Sequence, residues 1–283
     1  MVKKNAIKKT AANLPAPVID YGTDAGAGVL DIGRDEAGIP FLKILQAQSP
    51  EVIGPNGKLE GASAGVILNT GTEEMLDNVT VIPACRQHVY VEWRPRKKGG
   101  GIVAIHEKTS DVVAASLNEW QTSNRKFGDY KVTSTEEGGG LNDLVETFYV
   151  FSVILKDDQP EGFVVVPFSS TGIKIYKKKF INRVRYTLVD NGQGKKVTPP
   201  MFAHRITLGT AQETNDDGTW SNYTLQFAVD NNVQKSLMKP GHAGYEAAKE
   251  LKTMVDGGTA KVDTSKAGEG SSDGGDETDS SAF

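Results

Sequence analysis

The residues of this chain with most potential for chemistry are cations gathered in one acid-free segment, residues 174–186 (KIYKKKFINRVRY). Six basic side chains lie within it: Lys174, Lys177, Lys178, Lys179, Arg183 and Arg185. Four of them share about 100° of a helical wheel, and these are Lys174, Lys177, Lys178 and Arg185. Cations without acidic neighbours repel one another, so the segment favours a surface that binds a polyanion. The alternative is the solvated face of a helix that packs on the core.

A second segment, residues 86–101 (RQHVYVEWRPRKKGGG), interleaves aromatic and basic residues before a glycine-rich loop. Its candidate contacts are Arg86, His88, Tyr90, Trp93, Arg94, Arg96, Lys97 and Lys98. Cations can follow a nucleic-acid backbone, while aromatic faces stack bases at about 1–3 kcal/mol each without reading sequence. Period-2 alternation places Tyr90 on the face of His88 and Arg94, which makes it the favoured stacking residue. Trp93 falls on the other face and is at least as well explained as core. The whole stretch could also be a basic hairpin edge protected against aggregation.

A weaker basic and aromatic cluster follows downstream. It contains Lys195, Lys196, Phe202, His204 and Arg205, and it could extend the same binding groove. Trp220 and Tyr223 could add stacking residues, although alternation places one residue of such a pair inside.

Catalytic and metal-binding motifs are not found in the sequence. There is no GxxxxGK[ST] loop, HExxH, paired CxxC or EF-hand loop. Cys85 and His88 form the only Cys/His pair close in sequence, which is too few ligands for a zinc site. We therefore expect no enzyme activity, no metal and no cofactor.

Charge is divided unevenly along the 283 residues. Residues 267–283 carry five carboxylates and no Lys or Arg, so the total of −4 leaves residues 1–266 at +1. The single cysteine, Cys85, excludes an intramolecular disulfide and suits a reducing compartment. No signal peptide or membrane span is predicted. We expect a soluble protein of the cytoplasm, the host cytoplasm if a phage encodes it.

Short apolar runs bounded by turn residues predict a mainly β body, a barrel or sandwich. The predicted strands are Ala64–Asn69, Asn78–Pro83, His88–Arg94, Gly101–His106, Thr147–Leu155, Phe163–Phe168, Phe202–Leu208 and Trp220–Val229. Helices are predicted over Ser169–Leu188, with an apolar stripe, and over His242–Val255. The predicted organisation is a flexible arm (1–28), a β-rich domain (29–255) and a disordered acidic tail (256–283). Residues 107–146 give no clear pattern.

The acidic, Gly/Ser-rich end of the chain (AGEGSSDGGDETDSSAF) resembles the C-terminus of single-stranded DNA-binding proteins of bacteria and bacteriophages. It lacks the run of consecutive acids and the Ile-Pro-Phe ending of the bacterial proteins, and the body is longer, so the phage version is the closer likeness. The resemblance implies an OB-fold-like β-barrel with insertions that binds single-stranded DNA without sequence preference in replication, recombination or repair.

The same resemblance implies that the tail recruits replication and repair proteins and competes with DNA for the groove. The residues implied are Asp273, Asp276, Glu277, Asp279 and Phe283. Two alternatives remain open at this point: a phage structural or scaffold protein, and a strand-annealing recombination mediator. No membrane partner is expected, and a homo-oligomer is compatible with the sequence.

Overall fold

The computed structural model describes residues 38–264 except 55–57, 96–97, 99, 121–129, 135–139 and 217. The strands are β1 (Leu42–Ile44), β2 (Ile67–Asn69), β3 (Met75–Leu76), β4 (Val79–Trp93), β5 (Ile102–Glu107), β6 (Tyr130–Thr133), β7 (Leu141–Lys156), β8 (Gln159–Ser169), β9 (Val189–Asp190), β10 (Lys196–Val197), β11 (Ile206–Asn215) and β12 (Gly218–Phe227). The helices are α1 (Pro50–Ile53), α2 (Asp111–Trp120), α3 (Ser170–Tyr176), α4 (Asn182–Arg185) and α5 (Ala243–Asp256), with a π-helical turn at Lys177–Ile181 and a 3-10 turn at Met201–Ala203.

Two long strands, β4 and β7, organise the main sheet. They pair antiparallel from Thr80 opposite Leu155 to Trp93 opposite Asp143, and each is about 50 Å long. The other edge of β4 is shared by β11 and β5, and the other edge of β7 by β8 and β6. The expectation of a mainly β fold is confirmed. The main sheet is open, in the order β12-β11-β4-β7-β6, and two smaller sheets, β1-β2-β3 and β9-β10, are separate from it. The described strands do not close into the OB-type barrel.

The main sheet is covered on both faces, which explains the composition of β7. Phe148 and Val150 of β7 pack in the cluster that includes the helix over residues 170–185. Tyr149 and Phe151 point the opposite way, into the cluster that includes α5. A strand with two covered faces needs apolar residues at consecutive positions. The result is an unbroken buried run along β7 from residue 147 to residue 155.

The predicted basic helix is confirmed, and it contains one irregularity. α3, the π-helical turn and α4 follow one another without a break over residues 170–185. The predicted apolar stripe is buried at all four positions, Ile173, Tyr176, Phe180 and Val184. The π turn, Lys177–Ile181, contains the three consecutive lysines of the segment. π turns inside helices occur frequently at functional sites.

Three parts of the fold differ from the sequence-based expectation. The predicted strands at 78–83 and 88–94 are one strand, β4, which has a bulge between Pro83 and Cys85. The unreadable region contains α2 and β6. Residues 257–264, expected in the tail, belong to the body, because Ile39 N donates to Lys261 O at 2.7 Å and Asp263 N donates to Ile39 O at 3.0 Å. No helix in the described ranges is long and apolar enough to cross a membrane.

Candidate nucleic-acid interface

The two predicted basic segments meet at one aromatic ring, that of Phe148. The guanidinium carbon of Arg86, on β4, lies 4.4 Å from the ring centroid, and Lys177 Nζ, at the start of the π turn, lies 5.2 Å from it. Phe148 pairs with His88 across the β4–β7 ladder and is buried. The sheet therefore positions Arg86 directly beside the basic helix. Both cations benefit from the negative potential of the ring face.

The helix presents a row of exposed cations. Its exposed basic side chains are Lys174, Lys177, Lys178, Lys179 and Arg185, and together with Arg86 we call them the basic strip. None of the six has an ion pair with an acid in the described part of the chain. Lysines elsewhere do have such partners, as in Lys156–Glu161 at 3.3 Å and Lys235–Asp230 at 2.7 Å. The basic strip therefore has the positive potential of several unneutralised charges.

Arg183, the remaining cation of the helix, has a structural role. It donates from Nη1 to Asn231 Oδ1 at 2.8 Å and from Nη2 to the Asn231 carbonyl at 2.5 Å. Its guanidinium carbon also lies 4.7 Å from the ring centroid of Phe227. These contacts hold the helix against the turn that follows β12, so Arg183 is less available to a ligand than its neighbours.

His88 contacts the Phe148 ring, as Arg86 does, but the imidazole of His88 is neutral at pH 7. Its Nε2 is 2.8 Å from Glu146 Oε1, and the ring packs edge-on against Phe148 with centroids 4.8 Å apart. Burial lowers the pKa of His88, and the charges of Lys108 and Arg86 act in the same direction while Glu146 opposes them. At neutral pH His88 is therefore not a phosphate-binding cation.

The aromatic residues predicted on β4 are wholly or partly buried. Tyr90, the favoured stacking residue, is only 5% exposed and packs with Val113 of α2 and with Tyr130 of β6. The sequence did not predict this cover, because α2 and β6 come from the region whose pattern was unclear. Trp93 is partly buried on the opposite face, against the cluster that contains α5. The alternation of the two faces is thus as predicted, and both faces are covered.

The far end of β4 carries the other predicted contacts. Arg94 is eight residues from Arg86, about 26 Å along an extended strand, and its Nη1 donates to Gly100 O at 2.9 Å. Lys98 lies in the same β4–β5 connection, whereas Arg96 and Lys97 are outside the described residues. Of the described cations in this segment, Arg86 is therefore the one placed beside the helix. The tail residues Asp273, Asp276, Glu277, Asp279 and Phe283 are also outside the described residues.

The weaker downstream cluster does not form a groove. His204 is buried, and its Nδ1 donates to the carbonyls of Pro200 and Met201 at 3.0 and 3.1 Å. Phe202 packs edge-on against Tyr245, with ring centroids 5.0 Å apart. Lys195 and Lys196 differ from these two residues, because both are exposed on the β9–β10 hairpin that follows the basic helix.

Two exposed residues of the helical segment lie outside the set of four cations that share one side of the helical wheel. Lys179 is exposed within the π turn, and Tyr186 is 78% exposed immediately after α4. The helical wheel contained a signal for Tyr186, since its position lies about 120° from the centre of the apolar stripe. An aromatic residue so far from the stripe cannot point into the core.

The described residues contain no group of three or more His, Cys, Asp or Glu side chains arranged to hold a metal ion. A cavity of about 60 Å³ lies on the α5-side face of the sheet and extends to α3, with walls that include Phe41, Trp93 and Tyr223. Its only charged lining residue is Lys43, which is paired with Glu51 at 2.9 Å. The lining of this cavity therefore contributes no unpaired cation to the basic strip.

Comparison with known proteins gives one match. The family model described as Pam3 phage gp34-like protein matches residues 7–261, which include the whole sheet and the basic helix and end before the acidic tail. A search of curated proteins found no match, and neither did a search of solved structures. Since the matched region is most of the chain, this protein belongs to the Pam3 phage gp34-like family and is a bacteriophage protein.

Proposed function

We propose that this phage protein binds single-stranded DNA without reading its sequence, in phage DNA replication or recombination. The observation that carries the proposal is the basic strip, six cations without an acidic partner among the described residues. Such a row of positive charge is costly unless an anion neutralises it, and a nucleic-acid backbone supplies regularly spaced phosphates. The helix backbone sets the spacing of five of these residues, and Phe148 contacts Arg86 and Lys177.

The preference for a single strand is supported by the acidic tail. Its composition and its aromatic end resemble those of single-stranded DNA-binding proteins, whose tails compete with DNA and recruit partners. The tail carries five carboxylates against the six cations of the strip. In our proposal the tail occupies the strip when DNA is absent, and DNA displaces it so that Phe283 can engage replication or repair proteins.

The test is fluorescence anisotropy of labelled oligo-dT and of a labelled duplex at several salt concentrations. Neutralising about six phosphates gives a slope of about −4 in log affinity against log salt. A variant with Lys174, Lys178, Lys179 and Arg185 replaced by Gln should reduce that slope by about 3 units. The matched control replaces four exposed lysines elsewhere, Lys58, Lys239, Lys249 and Lys261, which changes the net charge equally.

Three results would overturn the proposal: no preference for oligo-dT over the duplex, equal losses in the two fourfold variants, or no DNA binding at low salt. Equal losses would mean that only net charge matters. Absence of DNA binding at low salt would leave a phage structural protein as the better account.

The role of the tail has its own test, deletion of Asp273–Phe283. We expect DNA binding that is unchanged or tighter at low salt, because the deletion removes four competing carboxylates. Capture of replication or repair proteins from the host should be lost. Weaker DNA binding after the deletion would contradict competition between the tail and DNA.

A further inference from the structure

The most exposed aromatic side chain in the described ranges stands at the end of the basic strip. Tyr186 is 78% exposed, and every other large hydrophobic side chain classed as exposed there is aliphatic. Its ring makes no ring-to-ring contact with a described residue. Tyr186 follows Arg185 directly and lies about 14 Å along the helix axis from Lys177.

The backbone around Tyr186 is well fixed. Thr187 N donates to Val184 O at 3.1 Å, and Thr187 Oγ1 donates to Arg183 O at 2.8 Å, which together close the end of the helix. Arg183 in turn is anchored to Asn231. The exposed ring is therefore held by a rigid element, and a ligand that stacks on it has no loop to order.

Cations continue beyond the ring. The β9–β10 hairpin begins three residues after Tyr186. In its backbone register Lys196 stands opposite Asp190. Lys195 and Lys196 are exposed and form no ion pair with a described acid. Tyr186 thus lies in sequence between the cations of the helix and those of the hairpin. Positive charge on either side of an aromatic face is the arrangement that binds a single strand through its phosphates and its bases.

We propose that Tyr186 is the base-stacking residue of this surface and that the β9–β10 hairpin extends the path of the strand. The inference rests on the proposed function, because it assigns a contact within the same DNA-binding surface. Tyr186 takes the stacking role that the sequence had favoured for Tyr90, whose ring is covered by α2 and β6. The ring stacks on a base without hydrogen bonds to the base edge, so this contact adds affinity without sequence preference.

The experiment compares Tyr186→Leu and Tyr186→Phe with the wild-type chain. Leu keeps an apolar side chain but has no aromatic face, whereas Phe keeps the face and removes only the hydroxyl. We expect Tyr186→Leu to weaken oligo-dT binding by about tenfold or more, with an unchanged salt slope because no phosphate contact is lost. Tyr186→Phe should bind like the wild type. An abasic oligonucleotide, which offers phosphates and no bases, should bind equally to all three proteins.

The possible outcomes separate this inference from the proposed function. If the wild type shows salt-dependent binding to oligo-dT and Tyr186→Leu binds equally well, the stacking role is wrong and the function stands. If Tyr186→Leu weakens binding to oligo-dT and to the abasic strand alike, the residue does not stack on bases. If the wild type does not bind oligo-dT, both proposals fail. Equal thermal unfolding of the three proteins is the control for folding.

Discussion

Arg86 and Lys177 lie against the same ring, Phe148, although they are 91 positions apart in the sequence. This shared contact links the two segments that the sequence marked as basic. It brings two positive charges close together without a described acidic partner. Under the proposed function both side chains contact the same stretch of DNA backbone.

The first prediction concerns this pair. Arg86→Gln and Lys177→Gln should each make the salt slope of oligo-dT binding shallower by about 0.7, and the double variant by about 1.4. The slopes are measured by anisotropy between low and moderate salt. Arg94→Gln, at the far end of β4, is the comparison and should leave the slope unchanged. If Arg94→Gln changed the salt slope more than Arg86→Gln, the binding surface would lie at the Arg94 end of β4, and the proposed location would be wrong.

Arg183 should behave in the opposite way to its neighbours on the helix. Because its guanidinium is bonded to Asn231 and lies over Phe227, Arg183→Gln should lower the free energy of unfolding by about 1 kcal/mol or more. The salt slope of DNA binding should stay as in the wild type. Chemical denaturation measures the free energy of unfolding, and anisotropy on the same preparation measures the salt slope. Arg185→Gln is the matched control. A shallower slope with unchanged stability would show that Arg183 contacts phosphate instead.

The close approach of α5 to the sheet gives a third prediction. A Cβ at Gly244 would lie 2.6 Å from Ile82 Cδ1 and 3.0 Å from Leu155 Cδ2, both in buried side chains. Gly244→Ala should therefore destabilise the protein by about 1–3 kcal/mol, although alanine is the better helix former. Gly162→Ala in β8 is the control, since nothing lies within 4 Å of its added Cβ. Equal stability of the two variants in denaturant would contradict the packing described here.

Regular patterns in the sequence predicted most of the central fold. Ile173, Tyr176, Phe180 and Val184 recur at helical spacing, and the helix buries all four. Asp157 and Asp158 lie between the predicted strands Thr147–Leu155 and Phe163–Phe168, and both have the positive φ angles, 50° and 63°, of a tight turn between β7 and β8. Local patterns of this kind can be read from the sequence because the structures they specify do not depend on distant residues.

Long-range packing decided the parts that could not be predicted. Alternation along β4 correctly separated the faces of Trp93 and Tyr90, but it could not show that α2 and β6 cover the Tyr90 face. Nothing in the sequence indicated that Arg86, and not Arg94 at the other end of the strand, would lie beside the helix. The closed barrel was an inference from the likeness of the tail, and the tail carries no information on how β4 and β7 pair.

The fourth prediction is that Cys85 is unreactive in the native protein. Burial raises its pKa to about 12, and the nearby carboxylate of Asp256 acts in the same direction. Since the thiolate is the reactive form, labelling by a thiol reagent at pH 8 should be at least about a hundredfold slower than in denaturant. The rate of colour release from an aromatic disulfide reagent measures this. Rapid native labelling would mean that α5 opens readily from the sheet.

The last prediction is a loss of stability below neutral pH. Burial lowers the pKa of His204, and that of His88 is lowered chiefly by burial as well. The unfolded chain, with histidine pKa values near 6.5, therefore binds more protons than the folded one below that pH. The free energy of unfolding should be fully maintained above about pH 6.5 and fall below it, by up to about 1.4 kcal/mol per pH unit for each histidine.

Urea denaturation at pH 7.5, 6.5, 6.0 and 5.5 tests this dependence. His204→Asn should flatten the decline even if it lowers stability at every pH, because an amide cannot take up the proton and can still donate to the Pro200 carbonyl that His204 uses. The slope against pH is therefore the informative quantity, and the absolute stability is not. A slope in His204→Asn equal to that of the wild type would show that burial of this ring does not govern the pH dependence.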